Sequence, residues 1–167
     1  MKNLKRVVIL KIRELELTDI EEVIQLKEKF KEDQKVRNTL GKNANVRPIR
    51  DDYKEYEEYF TTNKKKKIFV AVKDGAIIGM IKVIIRKDDP SFEFGEHAHV
   101  CDLFVLEGHR SYRVCIELYL HCKEWIKSQG CRYITAYTFG FNESIRKSMH
   151  ILGMKEYKIM YARDIND

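Results

Sequence analysis

Proline and glycine are scarce in this chain: its 167 residues include only two prolines and eight glycines. That scarcity excludes collagen-like, proline-rich and flexible-linker architectures. Long apolar runs are missing too. The opening stretch, MKNLKRVVILKIREL, is too short and too often broken by charge for a membrane span or a signal peptide. The expectation is a soluble cytoplasmic protein. The four cysteines, Cys101, Cys115, Cys122 and Cys131, form no CxxC pair, and no histidine stands beside them at ligand spacing. They read as small apolar core residues, and no metal site is expected.

What remains is an ordinary globular balance, 44% hydrophobic and 35% charged. No linker or repeat divides the chain, so residues 1–167 read as a single domain with a sizeable core. The formal net charge of +6 suits an anionic partner without choosing one. The run Lys64 to Lys67 reads as a solvated strand end. A basic nucleic-acid-binding domain is the reading that charge alone offers. No motif for nucleic acid accompanies it, so neither nucleic acid nor membrane is an expected partner.

Periodicity orders the elements. VVILKI, 7–12, is rich in branched residues and predicts a strand. Thr18-Asp19-Ile20-Glu21 has a capping-box pattern, and Ile20, Val23, Ile24 and Phe30 recur at helical spacing, so a helix is predicted over 19–33. Residues 37–48 read as loop. A second helix follows, capped by Asp51 or Asp52 and lined on one side by Tyr53, Tyr56, Tyr59 and Phe60. Strands at 68–72 and 77–85 flank Asp74-Gly75, a strong hairpin signal. A turn region over 88–95 precedes a strand over 97–106. Helix 111–129 stops at Gly130, and 133–139 is the next strand. Asn142 caps a last helix closed by Gly153, and 154–165 alternates as a final strand. The strand–helix–strand unit over 97–139 predicts a parallel crossover. The fold class is therefore α/β (α+β): a mixed, mostly antiparallel sheet of six to seven strands with helices on both faces.

Two segments carry chemistry. Strand 97–106 ends in Leu103-Phe104-Val105, and the loop and helix start that follow read Arg110-Ser111-Tyr112-Arg113-Val114-Cys115. The last helix reads Asn142-Glu143-Ser144-Ile145-Arg146-Lys147-Ser148-Met149, then runs on to Gly153-Met154. The order of elements and these residues resemble the GNAT superfamily of N-acetyltransferases. There an L-x-V strand end leads to a Q/R-x-x-G-x-G/A loop, and the last helix carries N-x-x-A-x-x-x-Y-x-x-x-G-F. Arg110, Asn142 and Gly153 match. Arg113 stands at the first loop glycine, Cys115 at the second small residue, Ile145 at the alanine and Met149 at the tyrosine.

The resemblance implies acetyl-CoA as co-substrate and no metal. Backbone N–H groups of Arg110, Ser111, Tyr112, Arg113, Val114 and Cys115 would cradle the pyrophosphate at a helix N-terminus, where the dipole favours anions. The pantetheine amides would pair with the backbone of Leu103, Phe104 and Val105, as an added strand does. Arg113 would either obstruct the pyrophosphate or pair with it.

Acetyl transfer to an amine needs the amine neutral, hence a general base, and histidine suits that near neutral pH. The resemblance puts a base six residues before Val105, at His99. Strict alternation would place His97, His99, Cys101, Leu103 and Val105 on one side, with His97 as a relay and Asp102 opposite. Glu96 and Asp102 are weaker candidates for the base. Met149 cannot return a proton to the CoA thiolate, so solvent or Tyr157 would do so. The acceptor, a small-molecule or peptide amine, would meet the acidic and aromatic second helix, with Asp51, Asp52, Glu55, Glu57 and Glu58 beside its tyrosines. The alternative for that helix is an amphipathic element with a solvated charged face. For the whole chain it is a GNAT-fold module that binds CoA or another ligand with weak or no catalysis. Dimers are common in the superfamily, so a homodimer is a further expectation.

Overall fold

The computed structural model describes residues 9–37, 49–62, 65–87 and 94–162. Five strands form one sheet in the order β1-β2-β3-β4-β5. They are β1 (Leu10–Glu14), β2 (Lys66–Lys73), β3 (Ala76–Lys87), β4 (Glu96–Val105) and β5 (Ile134–Ala136). The first four pair antiparallel, and β5 joins β4 in parallel through the expected crossover. The predicted Asp-Gly hairpin joins β2 to β3. Asp74 and Gly75 take positive φ values of 51° and 87° there, which asparagine, aspartate and glycine tolerate best.

Helices α1 (Ile20–Arg37) and α2 (Ile49–Thr62) cover one face of the sheet, and α3 (Tyr112–Ser128) covers the other. Val23, Ile24, Tyr56, Ile68, Val70, Met80 and Phe104 form the core on the α1/α2 side. Ile81, Val83, Ala98, Val100, Val105, Leu118 and Cys122 form the core beneath α3. Cys115 and Cys122 are buried apolar fillers, and burial pushes both thiols up in pKa. Helix α4 (Glu143–Ile151) packs beside α3, capped by the Asn142 side chain, which accepts from the Ile145 N–H at 3.5 Å. Gly130 and Gly153 follow their helices with φ of 73° and 78°, as the stop signals predicted.

Several expectations are corrected. A short 3-10 turn over Leu17–Asp19 precedes α1, and Asp19, not Thr18, satisfies the turn. Its carboxylate accepts the Glu16 N–H at 2.8 Å and pairs with Arg13. The sheet has five strands among the described residues rather than six or seven. Residues 154–162 alternate in sequence but form no strand, and Tyr157, Ile159, Met160 and Tyr161 are exposed. Alternation sets which side chains share a face but does not by itself supply ladder hydrogen bonds, and this segment pairs with no strand among the described residues. The start of the first predicted strand, the loop over 38–48, the turn over 88–93, Asp51's side chain and 163–165 lie outside the described residues. Lys65, Lys66 and Lys67 each pair with a carboxylate, Glu96, Glu55 and Glu14 respectively, so these lysines do not form an unscreened basic patch. No helix among the described residues is long and apolar enough to cross a membrane.

Candidate active site

β4 and β5 pair over only Ala98–Val100 and Ile134–Ala136. β4 then runs on to Val105, so its β5-side edge has no strand partner among the described residues beyond Val100. Which backbone groups face that open edge follows from the pairing with β3. Leu106 N–H donates to Ile78 C=O at 2.8 Å, and Gly79 lies opposite Val105 and Ile81 opposite Leu103. Antiparallel pairs alternate between bonded and non-bonded, so Val105 and Leu103 turn their N–H and C=O groups outward. Phe104 turns its backbone towards β3. Its role at the open edge is therefore its ring, which stacks on Phe30 of α1 with centroids 5.1 Å apart.

A cavity of about 310 Å³ opens along this edge. β4 contributes Leu103, Phe104 and Val105, and α1 contributes Phe30, Asp33, Gln34 and Arg37. The α3 end contributes Arg110, Ser111, Tyr112 and Cys115, and α4 contributes Asn142, Ser144, Ile145 and Ser148. The cavity thus gathers eight of the ten predicted cofactor residues; Arg113 and Val114 do not line it. The α1 wall and the two α4 serines were missed in the sequence, because no motif marks them.

The helix N-terminus at the cavity is sharper than the sequence implied. Ser111 is the N-cap of α3, with extended backbone, and its hydroxyl accepts the Val114 N–H at 3.4 Å. The Cys115 N–H reaches Ser111 C=O at 3.5 Å. Val114 is buried beneath α3. The amides left without an intrahelical carbonyl therefore narrow to Tyr112, Arg113 and the cap itself. Arg113 has ordinary helical backbone: among the described residues the one non-glycine residue with positive φ is Asp74. Glycine is not needed there, and the Arg113 side chain is exposed outside the cavity lining. It therefore adds charge beside the site without filling it. Arg113→Gly is expected to weaken CoA binding about fivefold, for loss of one exposed cation worth about 1 kcal/mol. Titration calorimetry checks this, and tighter binding by the variant would show that the side chain obstructs.

At the mouth, Arg110 Nε donates to Val105 C=O at 3.2 Å and its Nη2 to Asp33 at 3.4 Å. Arg37 pairs with the same carboxylate. Two guanidinium groups thus share one carboxylate, leaving positive charge at the entrance, the sign that a phosphate requires. Arg110 also occupies one of the outward carbonyls of β4.

The histidines lie elsewhere than strict alternation predicts. The β3–β4 register shifts between Lys82 and Val83, so that Lys82 faces Asp102 and Val83 faces Val100, leaving Cys101 as an extra residue. This bulge reverses the faces of β4. Ala98 and Val100 lie with Leu103 and Val105 on the α3 side. His97 and His99, opposite Arg86 and Ile84, share the other face with Asp102 and Phe104. His99 is 5% exposed, its Nδ1 is 2.8 Å from Thr135 Oγ1, and its ring lies 4.8 Å from that of Tyr137. The Thr135 hydroxyl is within 3.5 Å of Ala98 C=O. With that carbonyl as its acceptor, the hydroxyl takes its hydrogen bond from His99 Nδ1–H, which places the basic lone pair on Nε2. His97 is fully buried, and its Nδ1 donates to Gly95 C=O at 3.0 Å. Neither histidine lines the cavity. His99 lies opposite Thr135 in the middle of the β4–β5 pairing, one residue before Val100, after which the two strands part. Glu96 pairs with Lys65, and Asp102 with Lys82 at 2.6 Å.

The second helix is also engaged internally. Asp52 is fully buried and accepts from Lys27 at 2.8 Å and Lys31 at 2.5 Å. Glu55 pairs with Lys82 at 2.8 Å, with Lys66 and Lys27 nearby. Burial alone would raise the Glu55 pKa, but the Lys82 hydrogen bond and the surrounding lysine charge outweigh it, leaving about 2. Tyr56 and Tyr59 are core residues. These groups are not available as an aromatic, acidic grip for an amine; of the carboxylates expected there, Glu57 and Glu58 are exposed. Met149 does not line the cavity, and Tyr157 lies outside it with its ring tilted against that of Phe94, centroids 4.6 Å apart.

With the geometry in view, the comparisons fix the family. Residues 27–154 match the acetyltransferase (GNAT) family, and the chain belongs to it. No curated protein sequence matches at a significant level. Among solved structures, the chain is similar to the aminoglycoside acetyltransferase AAC(6')-Iy bound to a bisubstrate analogue, CoA-S-monomethyl-acetylneamine. They share 22% identity with a TM-score of 0.73, over 93% of this chain and 98% of that one. It is also similar to the aminoglycoside 6'-N-acetyltransferase AAC(6')-IG of Acinetobacter haemolyticus, at 18% identity and a TM-score of 0.71, over 94% and 99% of the two chains. A tetramutant protein from Bacillus halodurans superposes with a TM-score of 0.80 at 18% identity, over 93% and 99%. At such identities the likeness establishes the fold.

Proposed function

We propose that this chain transfers the acetyl group of acetyl-CoA to a primary amine of a small molecule or peptide by direct attack. The observation that carries the reading is the cavity between the open edge of β4 and the N-terminus of α3, in a chain of the GNAT family. The cap amides and the Arg110–Asp33–Arg37 cluster receive the pyrophosphate, and Leu103 and Val105 receive the pantetheine arm. Arg110 would leave the Val105 carbonyl as the arm enters. The acyl end then lies towards the point where β4 and β5 part. There His99 Nε2 takes the proton of the attacking amine, through water because the ring is buried. The nitrogen bonds to the thioester carbonyl carbon, the C–S bond breaks, and the thiolate takes a proton from solvent. A small polyamine is the favoured acceptor class, in keeping with the aminoglycoside acetyltransferases of the same fold.

A second reading is binding without efficient turnover, motivated by Met149 at the tyrosine position and by the burial of His99. Thiol release from acetyl-CoA over a panel of primary amines separates the two. The first reading predicts release that saturates with at least one amine. The second predicts CoA binding with release no faster than background hydrolysis.

A further inference from the structure

Gln34 is the one residue of the cavity wall whose side-chain nitrogen and oxygen are both buried with no hydrogen-bond partner among the described residues. It stands one helical turn beyond Phe30, whose ring stacks on Phe104 of β4. It therefore faces the open strand edge from the opposite wall. Buried polar groups are almost always satisfied, so an orphaned carboxamide in a cavity wall marks a missing partner. The chemistry of that partner is constrained. A phosphate would be drawn to Arg37 and Arg110 at the mouth, and a cationic amine to a carboxylate. A primary carboxamide offers a donor and an acceptor together, the complement of another amide.

We infer that Gln34 binds an amide of the pantetheine arm, so that α1 closes on the arm from the side opposite Leu103 and Val105. This inference rests on the acetyl-CoA reading above. It makes Gln34 a binding residue that discriminates the pantetheine half of the cofactor from its nucleotide half. It also assigns the buried amide a cost in the free protein that is recovered only on binding.

The test is calorimetric titration of the wild type and Gln34→Met with CoA and with adenosine 3',5'-bisphosphate, together with thermal melts of both free proteins. Methionine keeps the length and removes the polar pair. The expected result has three parts. CoA affinity falls about tenfold, as loss of a buried amide pairing implies. Adenosine bisphosphate affinity is unchanged. The free variant melts no lower than the wild type, because no satisfied hydrogen bond has been lost. Unchanged CoA affinity overturns the inference, as does an equal loss for both ligands or a changed KM for the amine alone. Should the methionine variant fold poorly, Gln34→Leu, which also removes the donor and the acceptor without adding charge, is expected to show the same selective loss for CoA. Failure of the underlying reading looks different, because the wild type itself would then not bind CoA.

Discussion

On the proposed mechanism, His99→Gln is expected to lower turnover roughly a hundred- to ten-thousand-fold near neutral pH, the range spanned by removal of a general base. Glutamine is close in volume and retains an amide to meet Thr135 Oγ1, which lies 2.8 Å from the histidine ring. The local packing against Tyr137 is thus nearly kept, while the basic lone pair is lost. CoA affinity stays unchanged, since His99 does not line the cavity. The pH–rate profile of the variant loses the inflection due to the base, and high pH recovers part of the rate as the amine deprotonates in solution. A merely structural histidine would lower stability and leave the profile's shape alone. Wild-type turnover in the variant would assign deprotonation to solvent.

Asp52→Ala is expected to cost about 3 kcal/mol and to lower the melting temperature by roughly 6–12 °C. The carboxylate is fully buried and compensates two lysines at once, Lys27 at 2.8 Å and Lys31 at 2.5 Å. Its removal leaves Lys31 with Glu28 at 2.6 Å and Lys27 with only Glu55 at 4.0 Å. Partial access of water to both lysine side chains, 11% and 18% exposed, keeps the cost at the lower end for a broken buried pair. The same network predicts a pH dependence. Burial works to raise the pKa values of Asp52 and Glu55, but their lysine partners outweigh it, and both lie below the ordinary carboxylate values. Their stabilisation is complete above those ordinary values. It is lost as pH falls, for Glu55 down to about 2. Thermal melts from pH 7 downward should therefore decline below about pH 4.5, and Glu55→Gln should flatten the decline. A change of less than about 2 °C for Asp52→Ala would show that the lysines find water as readily as the carboxylate.

The elements most legible in the sequence were those with local signals. Asp74-Gly75 set the hairpin, Gly130 closed α3, and Asn142 began α4. The cofactor strip was legible because its strand end and loop are contiguous, so eight predicted residues meet in one cavity. Features made by distant pairing were not legible. A bulge adds one residue without a compositional trace, so Cys101 reversed the expected faces of His99 and Leu103. The carboxylates of α2 looked like an amine trap because their lysine partners lie 21 to 27 residues away in sequence. Gln34 was invisible for the same reason: only the fold brings it opposite β4.

The central claim is that the cleft beside β4 binds acetyl-CoA. Thermal melting of the wild type across an acetyl-CoA titration tests it most directly. A specific site predicts a melting temperature that climbs with ligand, approaching about 2.7 kcal/mol of added stability at a hundredfold excess over Kd. A melting temperature that does not move up to millimolar acetyl-CoA would contradict it.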